Sequence, residues 1–202
     1  QFFSGDGTII DTKQINNYPD IREKLHVAIG KNTSSMFDEH HRVISGNATD
    51  QALMKFLGED SYLKMKEDPS LEIFASQKFN SSNKFSQAQI GGLTYYKGAP
   101  ERLLQKADRY MGTDGQLHPL DLSCINQRID TLAKKAMRVI AFGYSEEPLQ
   151  ENCISGNLVL IGLAAIRDDV RPEARIAIHD VQKAGIQVVM ITGDRLETAS
   201  AI

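Results

Sequence analysis

The sequence contains no tryptophan and only two cysteines, Cys124 and Cys153, in 202 residues. Two thiols at that separation fit neither a metal-ligand spacing nor a disulfide framework, so a reducing compartment is the default expectation. Long apolar runs are missing too. The most apolar stretch, residues 158–166, is far shorter than the roughly 20 residues a spanning helix requires. No signal peptide opens the chain. Positive charge is not in excess: 23 Lys and Arg stand against 26 Asp and Glu, for a net charge of -3. That balance leaves no electrostatic footprint for nucleic acid. An initiating methionine is also lacking, and Gln1-Phe2-Phe3 begins mid-pattern. The chain is therefore expected to be a piece of a longer protein, whose membrane spans can lie outside it. What is present is ordinary for a globular domain with a real core, at 41% hydrophobic and 24% charged residues.

Taken in order, the pattern predicts an α+β fold. A turn at 4–7 precedes a short strand at 8–10. Pro19-Asp20 opens a helix with the apolar stripe Ile21, Leu25, Ala28 and Ile29, ending at Gly30. Residues 31–46 are polar loop, with a short strand around 42–44. Gly46-Asn47-Ala48-Thr49-Asp50 leads into a second helix carrying Leu53, Phe56 and Leu57 on one face. Asn47 or Thr49 caps it, and Asp50 favours its positive end. A further short helix is expected at 61–66.

From Leu71 the period changes to that of strands, over 71–79, 84–90 and 93–97. Asn80-Ser81-Ser82-Asn83 and Gly91-Gly92 join them with hairpin chemistry. In this register Ser86 lies opposite Lys97 and Phe79 opposite Lys84. Phe79, Lys84 and Lys97 would then project from one side of the sheet, unless a one-residue bulge intervenes. Lys97 ends its strand where Gly98 permits a tight turn and Pro100 takes the first helical position. A helix at 100–107, a hairpin at 110–120, an amphipathic helix at 121–136 and a strand at 138–144 complete a first part, residues 1–157. Beyond it, two continuous apolar strands at 158–166 and 186–191 flank a helix at 172–184. That order predicts a parallel βαβ unit, the incomplete start of a second domain over 158–202.

Several residues in this frame suit an anionic, aromatic ligand. Lys97 is a cation held at a strand end, and Thr192-Gly193-Asp194 follows the last apolar strand, where ligands of open α/β sheets bind. Each also has a plain structural role. Asp194 with Glu197 makes a capping arrangement, Asp168 and Asp169 favour a helix start, Phe79 would serve as core, Lys84 and Arg138 as solvated surface, and Ile140 as core. The shared face of Phe79, Lys84 and Lys97 is what the structural roles do not require.

Six segments, in order along nearly the whole chain, resemble the P-type ATPase family and most nearly its Ca²⁺-pumping branch. Lys97-Gly98-Ala99-Pro100-Glu101 is similar to the lysine motif of the family's nucleotide-binding domain. Met190-Ile191-Thr192-Gly193-Asp194 resembles the hinge-proximal motif of its phosphorylation domain. Gly46-Asn47-Ala48-Thr49-Asp50 resembles its G-x-P-T-E segment, with Ala48 in place of proline and Asp50 in place of glutamate. Asp168-Asp169-Val170-Arg171 resembles its D-P-P-R segment. Phe79 with Lys84 matches the adenine-site pair, and Arg138-Val139-Ile140 the arginine strand.

The resemblance implies an antiparallel sheet flanked by helices, then a truncated βαβ piece of a haloacid-dehalogenase-like phosphorylation domain. It implies that Phe79 stacks on the adenine of ATP, that Lys97 forms the pocket floor with Gly98 also among the nucleotide-binding residues, and that Lys84 lies near the phosphates. Asp50 would approach the adenine amino group, directly or through water because aspartate is the shorter acid, with Arg138 and Ile140 opposite. Thr192 would contact the transferred phosphoryl group, with Gly193 and Asp194 beside it, while Asp168 and Arg171 hold the hinge. Mg²⁺ would enter with ATP in the intact pump, and no protein metal site is implied. The partners would be the remaining phosphorylation domain, the actuator domain and the transmembrane helices of one polypeptide, at the cytoplasmic face of the cell membrane. The D-K-T-G-T segment with the phosphorylated aspartate and the G-D-G-x-N-D segment are not found here; Asp11-Thr12-Lys13 reads as a turn. The piece is thus expected to bind nucleotide and turn over none. Two alternatives remain: a capped soluble phosphatase or phosphotransferase of the haloacid-dehalogenase type, and a non-catalytic interaction domain.

Overall fold

The computed structural model describes residues 1–167 and 172–191. Two short strands, β1 (Phe2–Phe3) and β2 (Ile9–Ile10), lead through a 3-10 turn, Thr12–Asn17, into α1 (Pro19–Gly30). A small hairpin, β3 (Met36–Phe37) and β4 (Val43–Ile44), precedes α2 (Ala48–Leu57) and α3 (Glu59–Glu67). Next come β5 (Ile73–Gln77), β6 (Phe85–Ile90), β7 (Leu93–Gly98) and the single turn α4 (Pro100–Leu103). The chain continues through β8 (Ala107–Met111), β9 (Leu117–Pro119), α5 (Leu122–Ala133), β10 (Met137–Ser145), β11 (Leu158–Arg167) and α6 (Pro172–Lys183).

Among the described residues, nine strands form one sheet in the order β2-β1-β11-β10-β7-β6-β5, with β8 and β9 branching from β11. The pairings are antiparallel except β11 with β8. Both faces of the sheet are covered. On one lie α1, α2 and α3, whose Leu25, Met54 and Met65 pack with Ala88, Tyr95 and Phe142. On the other, α4 and α5 bring Leu103, Ile125 and Ile129 against Phe85, Tyr96 and Leu160. Fully burying one such side chain is worth about 1.5–3 kcal/mol, so the two clusters hold the helices in place. Asn47 caps α2 by accepting from the Asp50 amide at 2.9 Å, and Asp121 caps α5 through Ser123 and Cys124.

The helix at 19–30, the α2 start and the β6–β7 hairpin agree with the pattern. Gly91 and Gly92 have φ of 56° and 83°, the backbone a two-residue hairpin turn needs, and Ser86 does pair with Lys97. Four expectations are corrected. First, β5 stops at Gln77, which pairs with Gln87 rather than Ser86. The register shifts between Ile73 and Ala75, which leaves Phe74 as a bulged residue. Residues 80–84 then close a separate turn, in which the Lys84 amide donates to Asn80 O at 2.9 Å. Phe79 and Lys84 consequently lie outside the ladder.

Second, Gly98 makes no turn: it is the last residue of β7. Third, α4 ends at Leu103 because Ala107 already starts β8; Leu158 donates to Lys106 O and draws that segment alongside β11. Likewise α5 ends at Ala133, which leaves Ala136 outside the helix; at its other end Leu122, expected in the buried stripe, is 42% exposed. Fourth, no parallel βαβ unit forms among the described residues. The strand at 158–167 lies inside the large sheet, antiparallel to both β1 and β10, and residues 186–191 are not a strand. Its unbroken apolar run reflects burial on both faces, which a central antiparallel strand between two helical layers shares with a parallel one.

Candidate functional site

The first turn of α2 holds the centre of the site. Asn47 fixes the helix start, which directs Asp50 inward although its type is usually exposed. The Asp50 carboxylate accepts from Lys97 Nζ at 2.5 Å and from the Ser34 amide at 3.3 Å. Both members of this ion pair are almost inaccessible, with side-chain exposures of 8% for Lys97 and 9% for Asp50. Burial lowers the Lys97 pKa below the ordinary lysine value, and the Asp50 charge beside it opposes that shift. An unpaired ammonium at this depth would cost several kcal/mol, so Asp50 is what allows Lys97 to remain charged there.

Lys97 pairs across the sheet with Phe142 of β10. Cross-strand partners and residues two apart share a face, so Arg138, Ile140 and Phe142 stand on the same side as Lys97. Ile140 packs against the helix-side cluster, and Arg138 Nη1 donates to Thr49 Oγ1 at 3.0 Å. The α2 start is thereby tied to two strands: Asp50 to β7 and Thr49 to β10. Thr49, one of the two cap candidates, instead accepts from Arg138, and that bond, Ser34 and the mutual pairing of Asp50 with Lys97 were not foreseen from sequence. Thr49 and Asp50 both belong to the quoted Gly46-to-Asp50 segment, which was the available signal.

The other two sequence-predicted residues sit differently. Phe79 lies on the loop after β5 and is 54% exposed. Lys84 Nζ meets Glu101 Oε1 at 3.2 Å, and Glu101 lies in the short helix α4, whose Leu103 belongs to the opposite cluster. The expected common face of Phe79, Lys84 and Lys97 is therefore corrected. Lys97 enters the helix-side layer, Lys84 turns toward α4 at the strand end, and Phe79 projects from a loop. Lys84 remains anchored to the Lys97 segment through the backbone, since the Ala99 amide donates to Lys84 O at 2.9 Å. Gly98 is required by that contact, because a Cβ there would come within 2.5 Å of Lys84 O and 2.6 Å of Phe85 Cβ. Asp168, Arg171, Thr192, Gly193 and Asp194 lie outside the described residues.

Chemically, the corner offers a buried ion pair and, on β10, a guanidinium tied to the start of α2, while the aromatic ring of Phe79 and the Lys84 ammonium are exposed on the separate 78–84 loop. These groups suit a planar heterocycle carrying negative charge. A separate cavity of about 190 Å³ lies between α1, α2 and the β1–β11 pair, lined by Phe2, Leu25, Leu53, Phe56 and Ile166 among others. It is apolar and shares no residue with the corner. No cluster of three or more His, Cys, Asp or Glu suited to a metal ion occurs among the described residues. No described helix is long and apolar enough to cross a membrane.

Residues 21–173 match the family described as P-type ATPase, cytoplasmic domain N. Calcium-transporting ATPase 10, plasma membrane-type, of Oryza sativa is 33% identical over 172 residues, 79% of this chain and 17% of that protein. Calcium-transporting ATPase 1 of Saccharomyces cerevisiae is 29% identical over 202 residues, 92% of this chain and 21% of its own length. Cation-transporting ATPase pma1 of Synechocystis sp. is 38% identical over 117 residues, 55% of this chain and 13% of that protein. The chain thus spans about a fifth or less of the length of these relatives.

Proposed function

The chain belongs to the P-type ATPase cytoplasmic domain N family, and from that premise we propose that the corner between α2, β7 and β10 seats ATP. The single observation that most supports this is the convergence of Asp50, Lys97 and Arg138, drawn from three distant segments onto one face. Phe79 stacks on the adenine ring. Base–aromatic stacking is worth about 1–3 kcal/mol by alanine truncation in nucleic-acid sites. Lys97 and Gly98 form the floor, Arg138 and Ile140 the opposite wall, and Asp50 accepts from the adenine amino group with the lone pairs Lys97 and Ser34 leave over. Lys84, which in the free protein meets Glu101 on the α4 side, would exchange that exposed partner for the phosphate chain.

In the parent protein the bound nucleotide is delivered to an aspartate outside this chain. Its carboxylate oxygen attacks the γ-phosphorus in line, the bond to the β–γ bridging oxygen breaks, and ADP departs. Mg²⁺ arriving with ATP would offset the phosphate charge. By resemblance, Thr192 contacts the transferred group with Gly193 and Asp194 beside it, and Asp168 and Arg171 act at the hinge. The remaining phosphorylation domain, the actuator domain and the transmembrane helices are the partners of this domain at the cytoplasmic face of the membrane. The cation moved is assigned as calcium, after the names of the relatives that align with most of this chain. The nucleotide-binding part runs through β11, and the phosphorylation domain begins beyond it. By itself the chain binds ATP and does not hydrolyse it.

Calorimetric titration with ATP, ADP and GTP tests the proposal. Wild type is expected to bind ATP saturably, and Phe79→Ala to bind it about 5- to 150-fold more weakly, the equivalent of about 1–3 kcal/mol. An absence of ATP binding, or equal affinities for the two proteins, would overturn the site assignment.

A further inference from the structure

The loop that carries Phe79 and Lys84 is held at both ends by one oxygen from a remote part of the chain. Gln77, just before the loop, donates from Nε2 to Asn152 Oδ1 at 2.8 Å. Asn83, just before Lys84, donates from Nδ2 to the same oxygen at 2.5 Å. The Asn152 amide returns a bond to Gln77 Oε1 at 2.8 Å, and Gln87 Nε2 donates to that oxygen and to Gln150 O, both at 2.7 Å. Within the loop, the Asn83 amide donates to Asn80 Oδ1 at 2.7 Å. Asn152 has a φ of 59°, a conformation asparagine tolerates better than most residues.

We propose that Asn152 is a positioning residue for the nucleotide site: its side-chain oxygen closes the 78–84 loop and thereby fixes where the Phe79 ring and the Lys84 ammonium stand. The proposal rests on the assignment of Phe79 and Lys84 to that site. The physical case is one of entropy. A stacking ring on an untethered loop must be ordered at the moment of binding, and that ordering subtracts from affinity. Here β5 ends at Gln77 and β6 begins at Phe85, so no ladder hydrogen bond orders residues 78–84. The two carboxamide donors and their common acceptor add to the order supplied by the turn bonds at Asn80 and by the Ala99–Lys84 backbone bond, and they tie the loop to the segment bearing Asn152. The segment bearing Asn152 therefore acts on nucleotide affinity without touching nucleotide.

Three variants of the whole chain separate the side-chain oxygen from the backbone it stands on. Asn152→Gly tolerates the positive φ and keeps the backbone amide donor while removing the side chain with its acceptor oxygen; Asn152→Asp keeps the acceptor; Phe79→Ala reports on the site itself. ATP affinity is read by calorimetry, and local order by hydrogen exchange of the 78–84 amides. Asn152→Gly is expected to bind ATP about five- to tenfold more weakly, with faster exchange confined to that loop and little change in thermal midpoint. Asn152→Asp is expected to restore both affinity and protection. If Phe79→Ala weakens binding while Asn152→Gly binds as wild type does, the positioning role is wrong. It is equally wrong if Asn152→Gly loses affinity only together with protection across the whole sheet, or if Asn152→Asp fails to rescue. If Phe79→Ala leaves affinity unchanged, the underlying site assignment fails and this role falls with it.

Discussion

Two regions of the molecule supply the candidate site, and they are built on different principles. At the α2–β7–β10 corner, each functional side chain is placed by regular structure. Lys97 and Arg138 are fixed by cross-strand register and Asp50 by a capped helix start, and the Asp50–Lys97 pair is nearly closed to solvent. In the 78–84 loop, Phe79 and Lys84 are exposed, and their positions depend on turn and carboxamide hydrogen bonds. A buried ion pair in a layer of helices is costly to break, whereas an exposed one is worth little. The corner should therefore behave as part of the fold, and the loop as a recognition element that can be altered while the fold stands.

The sharpest way to break that contrast is Asp50→Ala, which leaves the Lys97 ammonium buried without its partner. Chemical denaturation should show a loss of about 3–5 kcal/mol, and a loss under 1 kcal/mol would mean the corner is softer than described. Acid comes next. His26 of α1 sits edge-on to Phe56 of α2, and its pKa is lowered from 6.5 to about 4, chiefly by burial and secondarily by Arg22. The unfolded chain takes up this proton first as pH falls. Stability is then fully present above about 6.5 and is lost progressively towards 4. After discounting for the ring's partial exposure, the loss is on the order of 1–2 kcal/mol. Denaturation midpoints measured across that range should fall in wild type and fall less in His26→Gln. Smaller again is Glu101→Ala, which removes the exposed partner of Lys84. It should change stability by about 0–1 kcal/mol, the usual worth of a surface pair, in the same denaturation assay. A large loss there would mean the loop belongs to the fold after all.

The same division explains what could be read from sequence. The β6–β7 register was legible because Gly91-Gly92 allows a two-residue turn, and every partner follows by counting. The β5–β6 register was not, because the bulge at Phe74 and the asparagine-closed turn at 80–84 absorb residues without any mark in the apolar pattern. Residues 158–166 were correctly seen as buried on both faces but assigned to a parallel unit, since an apolar run reports burial and carries nothing about strand direction. Asp50 and Lys97 were each singled out, yet their pairing spans 47 positions and needed the sheet to be assembled first. The Asn152 tie, 69 and 75 positions from its two donors, left no periodic signal at all.

Amide chemical-shift mapping during an ATP titration would test the central claim most directly, because it locates the ligand without altering any residue. The largest perturbations should fall together at Thr49 and Asp50, at 79–84, at Lys97 and Gly98, and at 138–140. Perturbations gathered instead around Leu25, Leu53 and Phe56 of the apolar cavity, or none at saturating ATP, would contradict it.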